Sequence, residues 1–384
     1  VGLAEELDNM RVLDNIGGRA YLVGLLNNTG SSVYAEVYGR LVERTSIRRK
    51  LIVTADEIKQ LAMDESLNID SVVLEAETKM FSVTQQSSET RFSVSLAEAL
   101  SDYYDQMELK LQDQSVGYGV PSGFRDVDAL LGGYQKSDLI IFAGRPGQGK
   151  TSYLLSTAMN QAKLGLRVAL FSMEMGIEQL VMRLVSMETG INVQKLRLGK
   201  LSPQEAHRFT EAIGRMSKWK IFLDDTAALT PAELRTRSRR LKAEHGLDII
   251  ILDYLQMMKS PQYGADRVRE VGHLSRSTKE LAKEMNIPIL AAAQLSRAVE
   301  QRKNKRPVLS DLRDSGEIEQ DSDVIQFIYR DEAYNENTEF PNQADIITAK
   351  HRNGPTGTTS LYFEKSLTKF MDASVHRVDL SDLQ

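Results

Sequence analysis

Residues Gly144 to Thr151 read Gly-Arg-Pro-Gly-Gln-Gly-Lys-Thr, a complete G-x-x-x-x-G-K-T loop. The run Asp138–Ala143 before it reads as a buried strand, and Ser152–Met159 after it as a helix. That context matters more than the string, because such a loop holds phosphate only at a strand-to-helix turn. Its glycines let backbone N–H groups close on a phosphate without Cβ clashes. Gly144, Arg145, Gly147, Gly149, Lys150, Thr151 and Ser152 are therefore candidate nucleotide-binding residues. Lys150 would bridge the β- and γ-phosphates of ATP, and Thr151 would hold Mg²⁺.

A loop of this kind needs a carboxylate at a nearby strand end for the metal. Asp248-Ile-Ile-Ile-Leu-Asp253 supplies one, with Asp253 as the candidate. Asp224 and Asp225 also end a strand and are read as structural. Hydrolysis further needs a base for the attacking water. Glu174, directly after the apolar run 168–173, fits that role, because a parallel sheet brings strand ends together at one edge. Gln294 closes the run Leu290-Ala-Ala-Ala and could sense the γ-phosphate.

The elements that must position these groups are alternating strands and helices. From about Gly119, apolar runs lie at 138–143, 167–173, 220–224, 248–253, 287–293, 323–329, 344–349 and 359–363. The earlier ones are separated by helical segments such as 268–285. Near-continuous apolar strands between helices predict a mainly parallel sheet covered on both faces. The last strands have short connections and read as a hairpin edge, with Arg352–Gly357 rich in turn residues.

The first part of the chain has a different period. Residues 1–81 read as an all-α region with a helical hairpin. Val33, Val37, Leu41, Ile52, Ala55, Ile58 and Ala62 mark one face, and Ile69, Val72, Val73, Ala76 and Met80 the other. Polar residues from Ser82 to Thr90 read as a linker. Ser95-Leu-Ala-Glu98 is a capping-box pattern opening a short helix with Leu96, Leu100, Tyr103, Met107 and Leu111 as its stripe. Three segments are expected: 1–81, a linker with its helix at 82–118, and an α/β domain at 119–384.

Totals narrow the function classes. Lys plus Arg number 48 against 53 Asp plus Glu, for a net charge of −5, so any nucleic-acid site must be local. Absence of cysteine removes disulfides, thiolate zinc sites and thiol catalysis. The five histidines are scattered. No apolar run reaches transmembrane length and no signal peptide is visible, so a cytoplasmic location with no membrane partner is expected. The chain opens at Val1 inside a helix-like run, and further N-terminal residues are expected.

Several blocks together resemble bacterial DnaB-type replicative DNA helicases. They are Phe171–Met175, Ile249–Gln256, Ala291–Arg297, Leu309–Asp323 and Lys350–Pro355, in that family's order between about 119 and 372. Gly17–Leu22 is similar to its N-terminal domain. The resemblance implies a RecA-like ATPase in a homo-hexameric ring, with ATP and Mg²⁺ between subunits. It implies 5′-to-3′ translocation on single-stranded DNA, with a primase and a helicase loader as partners. Glu174 would be the catalytic glutamate, Asp253 the Mg²⁺-linked aspartate and Gln294 the phosphate sensor. Arg352 resembles the arginine finger given to the adjacent subunit, with Lys350 beside it. Arg313, Asp314 and Gly316 match a loop that lines the central channel and holds DNA. The basic segment Gln262–Arg269, with Arg267 and Arg269, is a second candidate channel loop. The alternatives are a recombinase-like or KaiC-like ATPase, and a nucleotide-dependent scaffold that does not translocate. The Leu-Arg-Asp-Ser-Gly-Glu-Ile-Glu-Gln block and the paired Glu174 and Arg352 argue against both.

Overall fold

The computed structural model describes residues 13, 17–21, 35–64, 66, 68, 69, 72, 75, 76, 79, 80, 95–112, 119–260, 263, 266–335 and 337–373. Two compact units divide the chain, Val1–Ser95 and Leu96–Gln384. The expected linker at 82–94 lies outside the described residues, as does Val33.

In the first unit a long helix, α1 (Ala35–Met63), runs where the apolar period predicts one. Its covered line differs from the expected face. Thr54 is buried and Leu51, Ile58 and Leu61 are half-buried, while Ile52, Ala55 and Ala62 are exposed. Apolar residues lie nearly all round this helix (Leu51, Ile52 and Val53 are consecutive), so periodicity alone could not choose the face. Helical residues between 69 and 80 follow, with Val72 buried and Ile69 exposed. Lys79 reaches back to Glu57 at 2.9 Å, so this segment lies beside α1.

The second unit opens with α2 (Leu96–Gln112), whose predicted stripe residues Leu96, Leu100 and Tyr103 are exposed. Next come α3 (Arg125–Leu131) and the phosphate-loop strand β1 (Leu139–Gly144). Then follow α4 (Lys150–Lys163), β2 (Val168–Ser172), α5 (Ile177–Thr189), α6 (Val193–Leu198), α7 (Pro203–Met216), β3 (Ile221–Asp224), α8 (Pro231–His245) and β4 (Ile249–Asp253). The remainder is α9 (Arg267–Met285), β5 (Ile289–Gln294), α10 (Ala298–Gln301), α11 (Gly316–Asp321), β6 (Val324–Tyr329), β7 (Gln343–His351), β8 (Gly357–Glu364) and β9 (Lys369–Asp372). A 3₁₀ segment, Leu309–Ser315, leads into α11.

These strands form one nine-stranded sheet in the order β3-β2-β4-β5-β1-β6-β7-β8-β9. The first six in that order are parallel, and β7, β8 and β9 turn back as an antiparallel edge. β9 has no counterpart among the predicted strands, because a run of four residues with charges at both ends carries no clear period. β1 is buried on both faces. Leu139, Ile141 and Ala143 enter one core layer, and Ile140 and Phe142 the other. Tyr153 of α4 stacks on Phe142 at 3.9 Å between ring centroids, and each such buried ring contributes about 2–3 kcal/mol. No helix among the described residues is long and apolar enough to cross a membrane.

At the starting edge of β1 and β6 sits a buried cluster of charge. Asp323 accepts from the Leu139 N–H at 2.9 Å and from Lys279, with Asp138 beside them. Burial pushes the Asp138 carboxyl up to about 6, and the neighbouring Asp323 adds to the shift against Lys279 and Arg352. The folded value lies above that of the unfolded chain, so the folded form binds the proton more tightly. Stability from this group therefore falls as pH rises from about 4 through about 6. Melting temperatures of Asp138→Asn should vary less than wild type between these pH values; an identical pH dependence would exclude the effect.

Candidate functional site

The order of the strands decides which groups meet. β5 lies between β1 and β4, and β2 lies on the far side of β4. All four are parallel and end at one edge, so the phosphate loop, Gln294, Asp253 and Glu174 follow one another along it.

The loop is held open by its neighbours. Gly147 and Gly149 adopt φ of +77° and +106°, values that side chains rarely tolerate. A Cβ at Gly144 would stand 2.5 Å from Ile328, so the β1–β6 spacing depends on that glycine. Gln148 is buried and its Oε1 accepts the Arg330 N–H at 2.9 Å, which ties the loop to the end of β6. Lys150 Nζ donates to the Gly144 carbonyl at 3.0 Å. Burial pushes this ammonium down, and the charges of Asp253 and Glu174 pull it back up.

Thr151 Oγ1 donates to Asp253 Oδ2 at 2.7 Å, joining the start of α4 to the end of β4. Burial pushes the Asp253 carboxyl up, opposed by the Thr151 hydroxyl and by Lys150. Its Oδ1 is buried with no hydrogen-bond partner among the described residues. A buried carboxylate oxygen without a partner is costly. Beside a threonine hydroxyl and a phosphate loop, it fits a hard divalent cation that takes its other ligands from phosphate and water. Glu174 lies beyond Ser172, which pairs in register with Asp253, and it faces a cavity beside the loop. That cavity, of about 620 Å³, is also lined by Gly147, Gly149, Lys150, Thr151, Ser152 and Gln294. Asp224 and Asp225 are engaged elsewhere, on Arg237 at 2.6 Å and on the Ile177 N–H at 3.0 Å.

Other residues lie where the sequence did not point. Arg183 of α5 faces the cavity, near enough for the charges of Asp253 and Glu174 to favour its charged form against burial. It shares the apolar face Leu180, Leu184 and Met187, and an arginine on such a stripe is the signal that could have found it. On the opposite wall, Arg330 lies 4.2 Å above the Phe363 ring and pairs with Glu332, which Lys365 also reaches at 2.8 Å. No motif carries this group, because its members come from β8 and from the segments that follow β6 and β8.

The remaining expected residues divide. Arg145 is buried, with its guanidinium on the Leu295 carbonyl at 2.7 Å and on Glu300 at 2.9 Å. It braces the loop, and it is not among the residues that line the cavity beside Lys150. The segment Gln262–Arg269 is less of a loop than expected, because Asp266 caps α9 and Arg267 and Arg269 stand in its first turn. Arg267 is tied to Glu270 and to the Gln256 carbonyl, and Arg269 lies 3.3 Å from Asp266. Gln262 lies outside the described residues. So do the side chains of Arg313 and Asp314; their backbone forms the 3₁₀ segment, and Gly316 opens α11 in an exposed position.

Gln294 stands between two cavities. One is the phosphate cavity; the other, of about 540 Å³, is lined by Arg145, Gln256, Arg267, Arg297 and Leu312. Gln256 grips the Gln294 peptide from both sides, donating to its carbonyl and accepting from its N–H at 3.2 Å each.

Arg352 and Lys350 are absent from this edge. β7 runs antiparallel to β6, with His351 opposite Val324, so both cations emerge at the starting edge of β1. Arg352 Nη1 lies 3.1 Å from Asp323 Oδ1, and Lys350 Nζ donates to the Ser322 carbonyl at 2.7 Å and to that of Glu319. From Leu139, which pairs with Asp323, to Gly144 the sheet extends roughly 15 Å.

Comparison with known proteins agrees with this arrangement. Residues 119–372 match the model of the DnaB-like helicase C terminal domain. The chain is 41% identical over 374 residues to the replicative DNA helicase DnaC of Bacillus subtilis, covering 97% of this chain and 82% of that protein. It is 42% identical, with the same coverage, to the replicative DNA helicase DnaB of Geobacillus stearothermophilus. Among solved structures it resembles a DnaB-like replicative helicase described with its primase interactions, with TM-score 0.77, 32% identity and coverage of 94% of this chain and 84% of that one. On this match across residues 119–372 and this identity over nearly the whole chain, the chain belongs to the DnaB-like replicative DNA helicases.

Proposed function

We propose that this chain is one subunit of a hexameric ring that hydrolyses ATP between subunits and moves 5′ to 3′ along single-stranded DNA at the replication fork. The observation that carries the reading is the placement of Lys150 and Arg352 at opposite edges of one sheet. No arginine side chain spans that distance, so Arg352 can serve only the nucleotide of a neighbour. The exposed stripe of α2 supports the same view, since an apolar helix face finds its cover on an adjacent subunit.

In this reading ATP lies in the cavity lined by Lys150, with its phosphates on the loop N–H groups. Thr151 Oγ1 and the orphaned Asp253 Oδ1 hold Mg²⁺, which neutralises charge on the phosphate oxygens when bound. Glu174 takes the proton of the attacking water. Lys150 meets the charge growing on the γ-phosphate from within the subunit, and Arg352 of a neighbour meets it from outside. Gln294 senses the γ-phosphate and passes its state to the cavity behind it. The 3₁₀ segment with Arg313 and Asp314, followed by Gly316, faces DNA in the bore, and Arg267 and Arg269 add positive charge. Lys350 braces α11 and stands second to Arg352 at the interface. A primase and a helicase loader are the expected protein partners.

Lys150→Ala should lower ATP turnover by at least about a hundredfold while leaving the fold intact, measured by steady-state hydrolysis and circular dichroism. Normal turnover would sink the site assignment. Forked DNA with a 5′ single-stranded tail should be unwound with ATP and Mg²⁺ by the wild type and not by this variant. Hydrolysis without strand separation would leave an ATPase and remove the motor. Arg352→Ala should cost about a thousandfold in turnover, yet rings mixed with Lys150→Ala subunits should recover activity at interfaces that are whole. No recovery in those mixed rings would exclude donation in trans.

A further inference from the structure

An arginine that must act on a neighbour has a problem of aim. Its side chain has many rotamers, and freezing them at the moment of reaction would cost rate. Asp323 is placed to remove that freedom. It is the residue before β6, with a buried carboxylate. Oδ2 faces inward, accepting from the Leu139 N–H and from Lys279 of α9. Oδ1 faces outward and accepts from Arg352 Nη1 at 3.1 Å. The backbones are joined as well, with the Arg352 N–H donating to the Asp323 carbonyl at 2.8 Å. Arg352 itself is half exposed, at 51% against 4% for the carboxylate. Nη1 is held by Asp323 and Nη2 by the Gln320 carbonyl, and the half-exposed guanidinium keeps further N–H groups to spare. Lys279 already balances the Asp323 charge, so the arginine keeps its own charge to offer.

The same corner carries the end of α11. Lys350 grips the Glu319 and Ser322 carbonyls, and Arg352 Nη2 lies 3.5 Å from that of Gln320. We propose that Asp323 is the positioning residue for Arg352, fixing the guanidinium toward the adjacent subunit's nucleotide from an anchor in β1 and α9. This inference rests on Arg352 acting in trans, as argued above.

The test is Asp323→Asn in the assembled protein, with Asp323→Asn/Lys279→Met as a second variant that removes the buried ammonium together with its counter-charge. Melting curves select whichever variant folds. Turnover should fall about tenfold to a hundredfold, with KM within about threefold. In an Arg352→Ala background the same change should add nothing, because its effect passes through that side chain. Rings mixed with Lys150→Ala subunits should regain turnover, since the variant's own phosphate loop remains whole. Additive loss with Arg352→Ala, or no recovery in mixed rings, would make Asp323 a structural residue and overturn the proposal. Turnover at or above wild type would also overturn it, because the carboxylate would then be restraining the arginine. If Arg352→Ala alone keeps full turnover, the trans reading fails first and is identified as the cause.

Discussion

Strand direction is the constraint on which the rest of this molecule depends. Six parallel strands put their C-terminal ends at one edge, and those of β1, β5, β4 and β2 lead into the phosphate loop, Gln294, Asp253 and Glu174. The first reversal, at β7, sends Lys350 and Arg352 to the other edge. A sheet that stayed parallel would have brought those cations to the edge that carries the phosphate loop. The turn from β6 into β7 thus separates Lys150, Asp253 and Glu174 from Lys350 and Arg352.

Local bonds then set the geometry within each edge. The Thr151–Asp253 bond ties α4 to β4 across the intervening β5, and a buried carboxylate oxygen remains beside it. The cost of leaving that oxygen unpartnered is a few kcal/mol, which a bound cation returns. Glycines at 144 and 149 keep the loop close against Ile328 and Phe370, where a Cβ would stand 2.5 and 3.1 Å away. Packing and phosphate recognition are here the same requirement.

Much of this was legible before any coordinates. Eight of the strands lie where apolar runs predict them, and the six parallel ones are legible because such strands are nearly continuous in apolar residues. The loop, Asp253, Glu174 and Gln294 were placed by motif and strand end alone. What the sequence hid depends on distant partners. The inward turn of Arg145 is set by Leu295 and Glu300, far along the chain. The Arg330–Phe363–Lys365 wall comes from separate strands and leaves no local pattern. The covered line of α1 was missed because apolar residues surround that helix, and β9 because it is too short to show a period.

The amide of Gln256 has a mechanical consequence. By donating to the carbonyl of Gln294 and accepting from its N–H, it closes a small ring of bonds between the exits of β4 and β5. Such a ring has almost no freedom to shear. A push of an ångström on Gln294 from the phosphate side would therefore not be absorbed at the strand ends. It would emerge behind them, among Leu312 and Asp311, at the root of the segment that runs to Gly316. The two cavities share that partition, and a displacement of Gln294 on one side would be felt on the other.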